Sequence, residues 1–321
     1  MPIAFITGVN GMDGSYLSEF LIKKGYEVHG MVQRSAVFDR QNIDHIGELT
    51  LHYGDLTDFS SLVRILKEVR PDEIYNLGAM SQVGISWEIP CYTAQATGVS
   101  VLNLLEAVRM TGIKTKIYQA STSEMFSGEK GAKAQNEDTK LDPQSPYSAA
   151  KLFAHTMCHI YRKAYGMFIC CGILFNHESE RRGKNFVTRK ITIGISDILK
   201  GKQDKIHLGN IEAKRDWGYA GDYVEAMWLM MQQEKSDDYV IATGETHSIK
   251  EFLEEAFKIV KLNWEDYVVI DPKYFRPAET EQLLGDASKA EKILGWKPKV
   301  KFKELVKIMV DYDLHNTSSQ T

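Results

Sequence analysis

The chain opens on an apolar run, residues 3 to 7, that passes at once into Thr7-Gly8-Val-Asn-Gly11-Met-Asp-Gly14 and then into an amphipathic stretch. No other feature constrains the fold as strongly. Three glycines at this spacing, between a strand and a helix, allow a tight turn, close approach of a pyrophosphate to the backbone, and tight helix–strand packing. The helix amino terminus that follows then faces the anion. Gly8, Gly11 and Gly14 are therefore candidates for a dinucleotide-binding turn.

The pattern downstream agrees with that start. Residues 26–32, 51–53, 73–77, 116–120 and 167–174 read as strands, and 15–24, 60–69 and 93–109 as helices between them. Strands alternating with helices predict a parallel sheet covered on both faces, and right-handed crossovers make it Rossmann-like. The expected class is α/β, a doubly wound parallel sheet with a smaller mixed α/β substrate-binding lobe. Residues 1–175 are expected to form the dinucleotide domain, with 213–245 returning to it through a helix at 222–232 and a strand at 239–242. Residues 176–212 and 246–321 are expected to form the lobe, with helices at 248–260 and 301–312. The polar, basic stretch 176–189 predicts a loop over the site.

Two further motifs carry chemistry. Tyr147-Ser-Ala-Ala-Lys151 puts a phenol and an ammonium one helical turn apart. A free phenol titrates near ~10, and a fixed cation beside it favours the phenolate and makes it a usable base. Ser121-Thr122-Ser123-Glu124 ends the strand at 116–120, so a hydroxyl and a carboxylate stand at the carboxyl edge of the sheet, where doubly wound folds hold ligands. A phenolate alone suits hydride transfer; a phenolate with a carboxylate suggests that a second proton is moved. At the end of the second strand, Arg34 and Ser35 stand where an acidic residue would accept from a ribose 2'-hydroxyl. They suit a 2'-phosphate, which favours NADP, against the alternative of a solvated surface arginine. Asp55 is placed to accept from the adenine amino group, while capping of the next helix falls to Thr57 or Asp58. Leu77-Gly78-Ala79 ends the fourth strand in small residues against which a nucleotide can lie.

The net charge of −4 gives no electrostatic case for nucleic acid or an anionic membrane. No apolar run approaches the ~20 residues of a membrane span, and the immediate entry into a strand leaves no room for a signal peptide. Cys91, Cys158, Cys170 and Cys171 show no paired spacing, so reduced thiols and a cytoplasmic setting are expected. His155 and His159 lie four apart, but no glutamate completes a His-Glu-x-x-His arrangement and the chemistry needs no metal; none is expected. Met227 to Met231 read as the buried face of a helix. Ser121 and Ser123 lack a nucleophile elbow and an evident histidine partner.

With the glycine triplet, Ser-Thr-Ser-Glu and Tyr147-x-x-x-Lys151 in hand, the chain resembles the extended short-chain dehydrogenase/reductases, and within them the GDP-mannose 4,6-dehydratase family. The resemblance runs from end to end and is densest in Tyr53-Gly-Asp-Leu-Thr57, Ile74-Tyr-Asn-Leu-Gly-Ala79, Tyr118-Gln-Ala-Ser-Thr-Ser-Glu124, Asn185-Phe-Val-Thr-Arg-Lys-Ile191 and Ala213-Lys-Arg-Asp-Trp-Gly218. Met12 stands where the family usually carries Gln, and Phe126 replaces a usual Tyr. The stretches after Arg34 and near Asn263 are shortened. The first of these helps pair subunits into a tetramer in the family, so a homodimer or a homotetramer is open.

The resemblance implies conversion of GDP-D-mannose to GDP-4-dehydro-6-deoxy-D-mannose and water, for deoxyhexose synthesis of the fucose or rhamnose type. It implies that Tyr147 takes the O4 proton while C4 gives hydride to NADP+, that Thr122 orients O4, and that Glu124 removes the C5 proton and helps protonate the departing C6 hydroxyl. Cofactor contacts carried over are Met12, Asp13, Leu56, Ser81, Tyr92, His177 and Arg182, beside those already named. Substrate contacts carried over are Ser81, Ser123, Asn176, Asn185, Val187, Lys190, Arg215, Arg276 and Glu279. A related 4-reductase or epimerase keeps Tyr147 and Lys151 but has no general use for Glu124. A bifunctional dehydratase/reductase and a non-catalytic NADP-binding regulator complete the alternatives.

Overall fold

The computed structural model describes residues 1–34, 40–278 and 280–315. Ser35 and Glu279, both named above, lie outside the described residues. Seven parallel strands form the central sheet: β1 (Ile3–Thr7), β2 (Glu27–Val32), β3 (Leu49–Tyr53), β4 (Glu73–Asn76), β5 (Lys116–Thr122), β6 (Ile169–Leu174) and β7 (Asp238–Ile241), in the order β7-β6-β5-β4-β1-β2-β3. The order reverses beside β1, which pairs with β2 on one side and β4 on the other. A crevice opens at such a reversal, at the carboxyl ends of the strands.

Successive residues of each strand serve opposite faces. Ala4, Ile6, Tyr75, Tyr118 and Cys170 join one buried cluster, under α1 (Met12–Lys23) and a later helix; Phe5, Ile74, Ile117 and Cys171 join another. The second face is covered by α2 (Phe59–Val69), α3 (Ser100–Thr111) and α4 (Pro146–Tyr165). Fully buried Leu17 and Leu21 fasten α1 to the sheet, each contributing about 1.5–3 kcal/mol. Ser145 caps α4 in a reciprocal bond pattern with Ser148, with Pro146 in the first turn, which fixes where Tyr147 begins its helix. Asp58 caps α2, accepting from the Ser60 amide at 3.0 Å.

Beyond β6 come α5 (Val187–Leu199), α6 (Ala220–Met231), α7 (Ile249–Ile259) and α8 (Phe302–His315). Helix α6 lies on the α1 side, with Met227, Met230 and Met231 buried. Helices α5, α7 and α8 share a separate apolar cluster around Trp217, Phe252 and Phe302, closed by the buried pair Arg189–Asp313. Among the described residues no helix is long and apolar enough to cross a membrane.

Three local expectations change. Helix α1 starts at Met12, so Met12, Asp13 and Gly14 are its first turn. Gly14 is required there, because a Cβ would stand 2.4 Å from the Gly8 carbonyl oxygen. The single helix expected at 93–109 is interrupted by a π-helical segment at Ala94–Val99. Residues 187–189, expected in a loop, open α5; Val187, Ile191, Ile195 and Ile198 at helical spacing mark its apolar face.

Candidate active site

A cavity of about 1090 Å³ lies across the carboxyl ends of β1, β4, β5 and β6 and under the α5 lobe. Its first half is built on the glycine turn. Gly8 has φ of +67°, and a Cβ there would meet the Gly78 backbone at 2.9 Å, so only glycine lets the two strand ends close. Thr7 locks that junction: its hydroxyl accepts from the Leu77 and Gly78 amides at 3.1 and 3.0 Å and donates to Asn76 at 2.6 Å. Gly11, Met12, Asp13, Gly14, Leu56, Leu77, Gly78, Ala79, Ser81 and Tyr92 all line this half. The first turn of α1 carries no side-chain cap, which leaves its amides for an anion.

Asp13 and His177 form an ion pair in the wall, Nε2 to Oδ2 at 2.9 Å, while His177 Nδ1 faces the Phe175 carbonyl at 2.9 Å. Burial alone would raise the Asp13 carboxyl, but the imidazolium beside it brings it below the usual range. Burial would lower His177, and the charge and hydrogen bond of Asp13 raise it instead. Asp55 also lines the cavity, but its carboxylate already accepts from Gln33 Nε2 at 2.9 Å and from the Thr57 amide and hydroxyl, both at 2.7 Å. Arg34 lies in an adjoining hollow with Tyr53, Ser60 and Arg64, which shares Gln33, Asp55 and Tyr92 with the main cavity.

The reacting groups meet at the end of β5. Thr122 and Glu124 are buried there, the Glu124 amide donating to Thr122 Oγ1 at 3.2 Å. Glu124 faces the Thr280 hydroxyl at 3.3 Å and the Arg215 guanidinium at 3.6 Å. Tyr147 and Lys151 reach in from α4, both buried. Lys151 Nζ stands 5.9 Å from the Tyr147 ring centroid and donates to the Ala120 carbonyl at 2.8 Å. Burial pushes the Tyr147 phenol up and the Glu124 charge adds to that, while a hydrogen bond with Thr122 and the Arg182 charge oppose it. The balance is upward. Burial lowers Lys151 itself to about 8.

The far half of the cavity is lined by Ser123, Asn176, Asn185, Val187, Lys190, Arg215 and Arg276; of the described site candidates only Arg34 lies outside the cavity, in its side hollow. Lys190 donates to the His207 carbonyl at 2.6 Å and sits 3.8 Å from the Tyr274 ring. Asn176 Oδ1 is buried with no hydrogen-bond partner among the described residues, an acceptor suited to a ligand hydroxyl. Thr280, far along the chain, and Glu178, which holds Arg182 at 3.1 Å, were not anticipated. Glu178 directly follows His177, which the resemblance carried over; no local pattern marks Thr280.

Residues 5–309 match the family model described as GDP-mannose 4,6 dehydratase. The chain belongs to the GDP-mannose 4,6-dehydratase family. GDP-mannose 4,6 dehydratase 1 of Arabidopsis thaliana is 56% identical over 325 residues, covering 97% of this chain and 90% of that one. The Homo sapiens GDP-mannose 4,6 dehydratase is 49% identical over 340 residues, covering 97% and 91%. Among solved structures, a Thermus thermophilus UDP-glucose 4-epimerase in complex with NAD superposes with a TM-score of 0.87 at 28% identity, covering 98% and 99%. The chain and this epimerase therefore share a fold.

Proposed function

We propose that this chain converts GDP-D-mannose to GDP-4-dehydro-6-deoxy-D-mannose and water, using NADP held in the glycine-turn half of the cavity. The observation that carries the reading is Glu124: a carboxylate buried beside Tyr147 and Thr122 at the reacting end of the sheet. Oxidation and reduction at C4 alone need no such group.

A bound nicotinamide supplies a reversible two-electron acceptor, reduced by C4 and re-oxidised by C6, so it is unchanged over a turnover. The protein residues move the protons. Thr122 orients O4, and Tyr147 takes its proton. The resulting 4-ketone acidifies C5, and Glu124 removes that proton. The same carboxyl group then delivers that proton to the C6 hydroxyl, which leaves as water. The enolate left once C6 is reduced takes the proton held by Tyr147 at C5, so both groups end as they began. Arg215 faces the Glu124 carboxylate at 3.6 Å, with the Thr280 hydroxyl on its other oxygen. Each proton-transfer group is worth ~10^2 to 10^4 in rate.

Residues 1–175 with 213–245 form the cofactor half in this reading, and 176–212 with 246–321 the sugar-nucleotide half. Lys190, Arg215 and Arg276 supply charge for the diphosphate. Arg34 selects the 2'-phosphate of NADP over NAD. A cytoplasmic setting is supported by four unpaired thiols; self-association as a dimer or tetramer is carried over from the family. The test is incubation with GDP-mannose and no added NADPH, followed by mass spectrometry of the nucleotide sugar. Loss of one water supports the reading. Unchanged substrate in the presence of NADP+ refutes it.

A further inference from the structure

Outside the cavity, on the face of the sheet covered by α4, ligand atoms from three elements converge. Cys171 of β6 and Asp238 of β7 are register partners across a parallel pair, so their side chains leave the sheet side by side. His155 and His159, one turn apart on α4, lie over them with ring centroids 4.4 Å apart. The ligating atoms of His155, His159 and Cys171 all fall within 4.8 Å of one another. Asp238 Oδ2 lies beside this trio, 2.5 Å from His159 Nε2 and 3.9 Å from His155 Nε2.

The atoms that point away from this centre are held by other groups. His155 Nδ1 is hydrogen-bonded to Ser121 Oγ at 2.9 Å, and Asp238 Oδ1 accepts from Arg162 at 2.6 Å. Metal-binding imidazoles and carboxylates are oriented through their second heteroatom in this way. Cys171 and His155 are buried while the His159 side chain is 46% exposed, which leaves an entry path. A His–Asp–Arg surface network accounts for His159, Asp238 and Arg162. Arg162 also reaches Cys171 Sγ at 3.9 Å, which brings the thiol into that network, but the network does not require a second, buried imidazole aimed at the same point.

We propose that His155, His159, Cys171 and Asp238 form a second site, for a divalent transition-metal ion of the zinc class. Tetrahedral zinc holds N, O and S ligands at about 2.0–2.3 Å, so the His159–Asp238 contact would open and the other donors draw in around the ion. On binding, the Cys171 thiol loses its proton to solvent and the ion takes the place of the direct His159–Asp238 contact. Two neutral imidazoles, one thiolate and one carboxylate then balance the ion's two charges, and the Arg162 guanidinium that holds Asp238 stays beside the site as one partly exposed cation. The ion ties α4 to β6 and β7. Through the His155–Ser121 bond it also reaches the strand end that carries Thr122 and Glu124. The four ligands are scattered along the chain, which is why the histidine pair alone looked incomplete.

The test uses the full chain, stripped with a chelator and titrated with Co2+, with Zn2+ as competitor. One equivalent of cobalt should bind, with tetrahedral visible bands and a thiolate-to-cobalt charge-transfer band, both abolished by zinc. Cys171→Ser should remove the charge-transfer band, and His159→Ala, at an exposed position that leaves folding intact, should weaken binding at least ~10-fold. Failure to bind cobalt, or binding with the same spectrum and affinity in His159→Ala, would overturn the proposal even if Cys171→Ser does not fold.

Discussion

Lys151 donates to the carbonyl of Ala120 at 2.8 Å, and that same carbonyl ends a buried chain of side-chain hydrogen bonds. Thr7 donates to Asn76 at 2.6 Å, Asn76 to Gln119 at 2.8 Å, and Gln119 to the Ala120 carbonyl at 3.0 Å. The glycine turn and the reacting end of β5 are thus joined across three strand ends. The position of the lysine is set by the same network that closes the dinucleotide turn.

Asn76 is the middle of that chain, so Asn76→Ala should leave Thr7 and Gln119 each short of a buried partner. The expected loss is about 1–3 kcal/mol, read as a lower urea midpoint at unchanged slope. An unchanged midpoint would mean that the network carries no weight.

Lys151 is lowered to about 8 by burial, which gives a definite sign. Its ammonium is lost as pH rises through about 8 in the free enzyme, so kcat/KM should fall there. Between about 8 and the unfolded value near ~10.4 the unfolded chain binds the proton more tightly, so the lysine's destabilising effect shrinks as pH rises. Lys151→Met should therefore be more stable than the parent at pH 7, and the gap should narrow by pH 10 in thermal melts. A constant gap would contradict the lowered value.

His177→Phe leaves Asp13 without its cation. Complete burial of an unpaired charge costs ~3–5 kcal/mol. Asp13 keeps part of its side chain open to the cavity, so ~2–3 kcal/mol is expected, with weaker dinucleotide binding measured by titration. A variant as stable as the parent would show that the pair is dispensable.

Much of this was legible beforehand because it is local. The strand–glycine–helix start and the Tyr147–Lys151 spacing are each contained within a few residues. What escaped depends on contacts between distant segments. Thr280 faces Glu124 from 156 positions away, and Cys171 meets the His155–His159 pair only because β6 and β7 run under α4. The start of α5 was obscured by the polar, basic residues before it, although Val187, Ile191 and Ile195 carry the helical period. The pairing of Lys151 with a carbonyl could not be read from spacing, which says that two side chains share a face and not where each one bonds.

Arg34→Ala should weaken NADP+ by about 10- to 100-fold, the worth of a charge-assisted phosphate contact, and leave NAD+ nearly unchanged. Equal losses for the two dinucleotides in a binding titration would remove the argument for the 2'-phosphate.

Glu124→Gln should retain dinucleotide affinity while dehydration falls by ~10^2 to 10^4. Single-turnover analysis of the nucleotide sugar reads this directly, and near-normal dehydration would strip Glu124 of its assigned role.

The central claim is that the oxidation at C4 and the reduction at C6 are two halves of one turnover in this cavity. GDP-mannose carrying deuterium at C4 tests it most directly, with unlabelled water and no added reductant. The account predicts a dehydrated product with the deuterium at C6, seen by mass spectrometry and proton NMR. A dehydrated product whose C6 holds no deuterium, or deuterium retained at C4 after water has left, would contradict it.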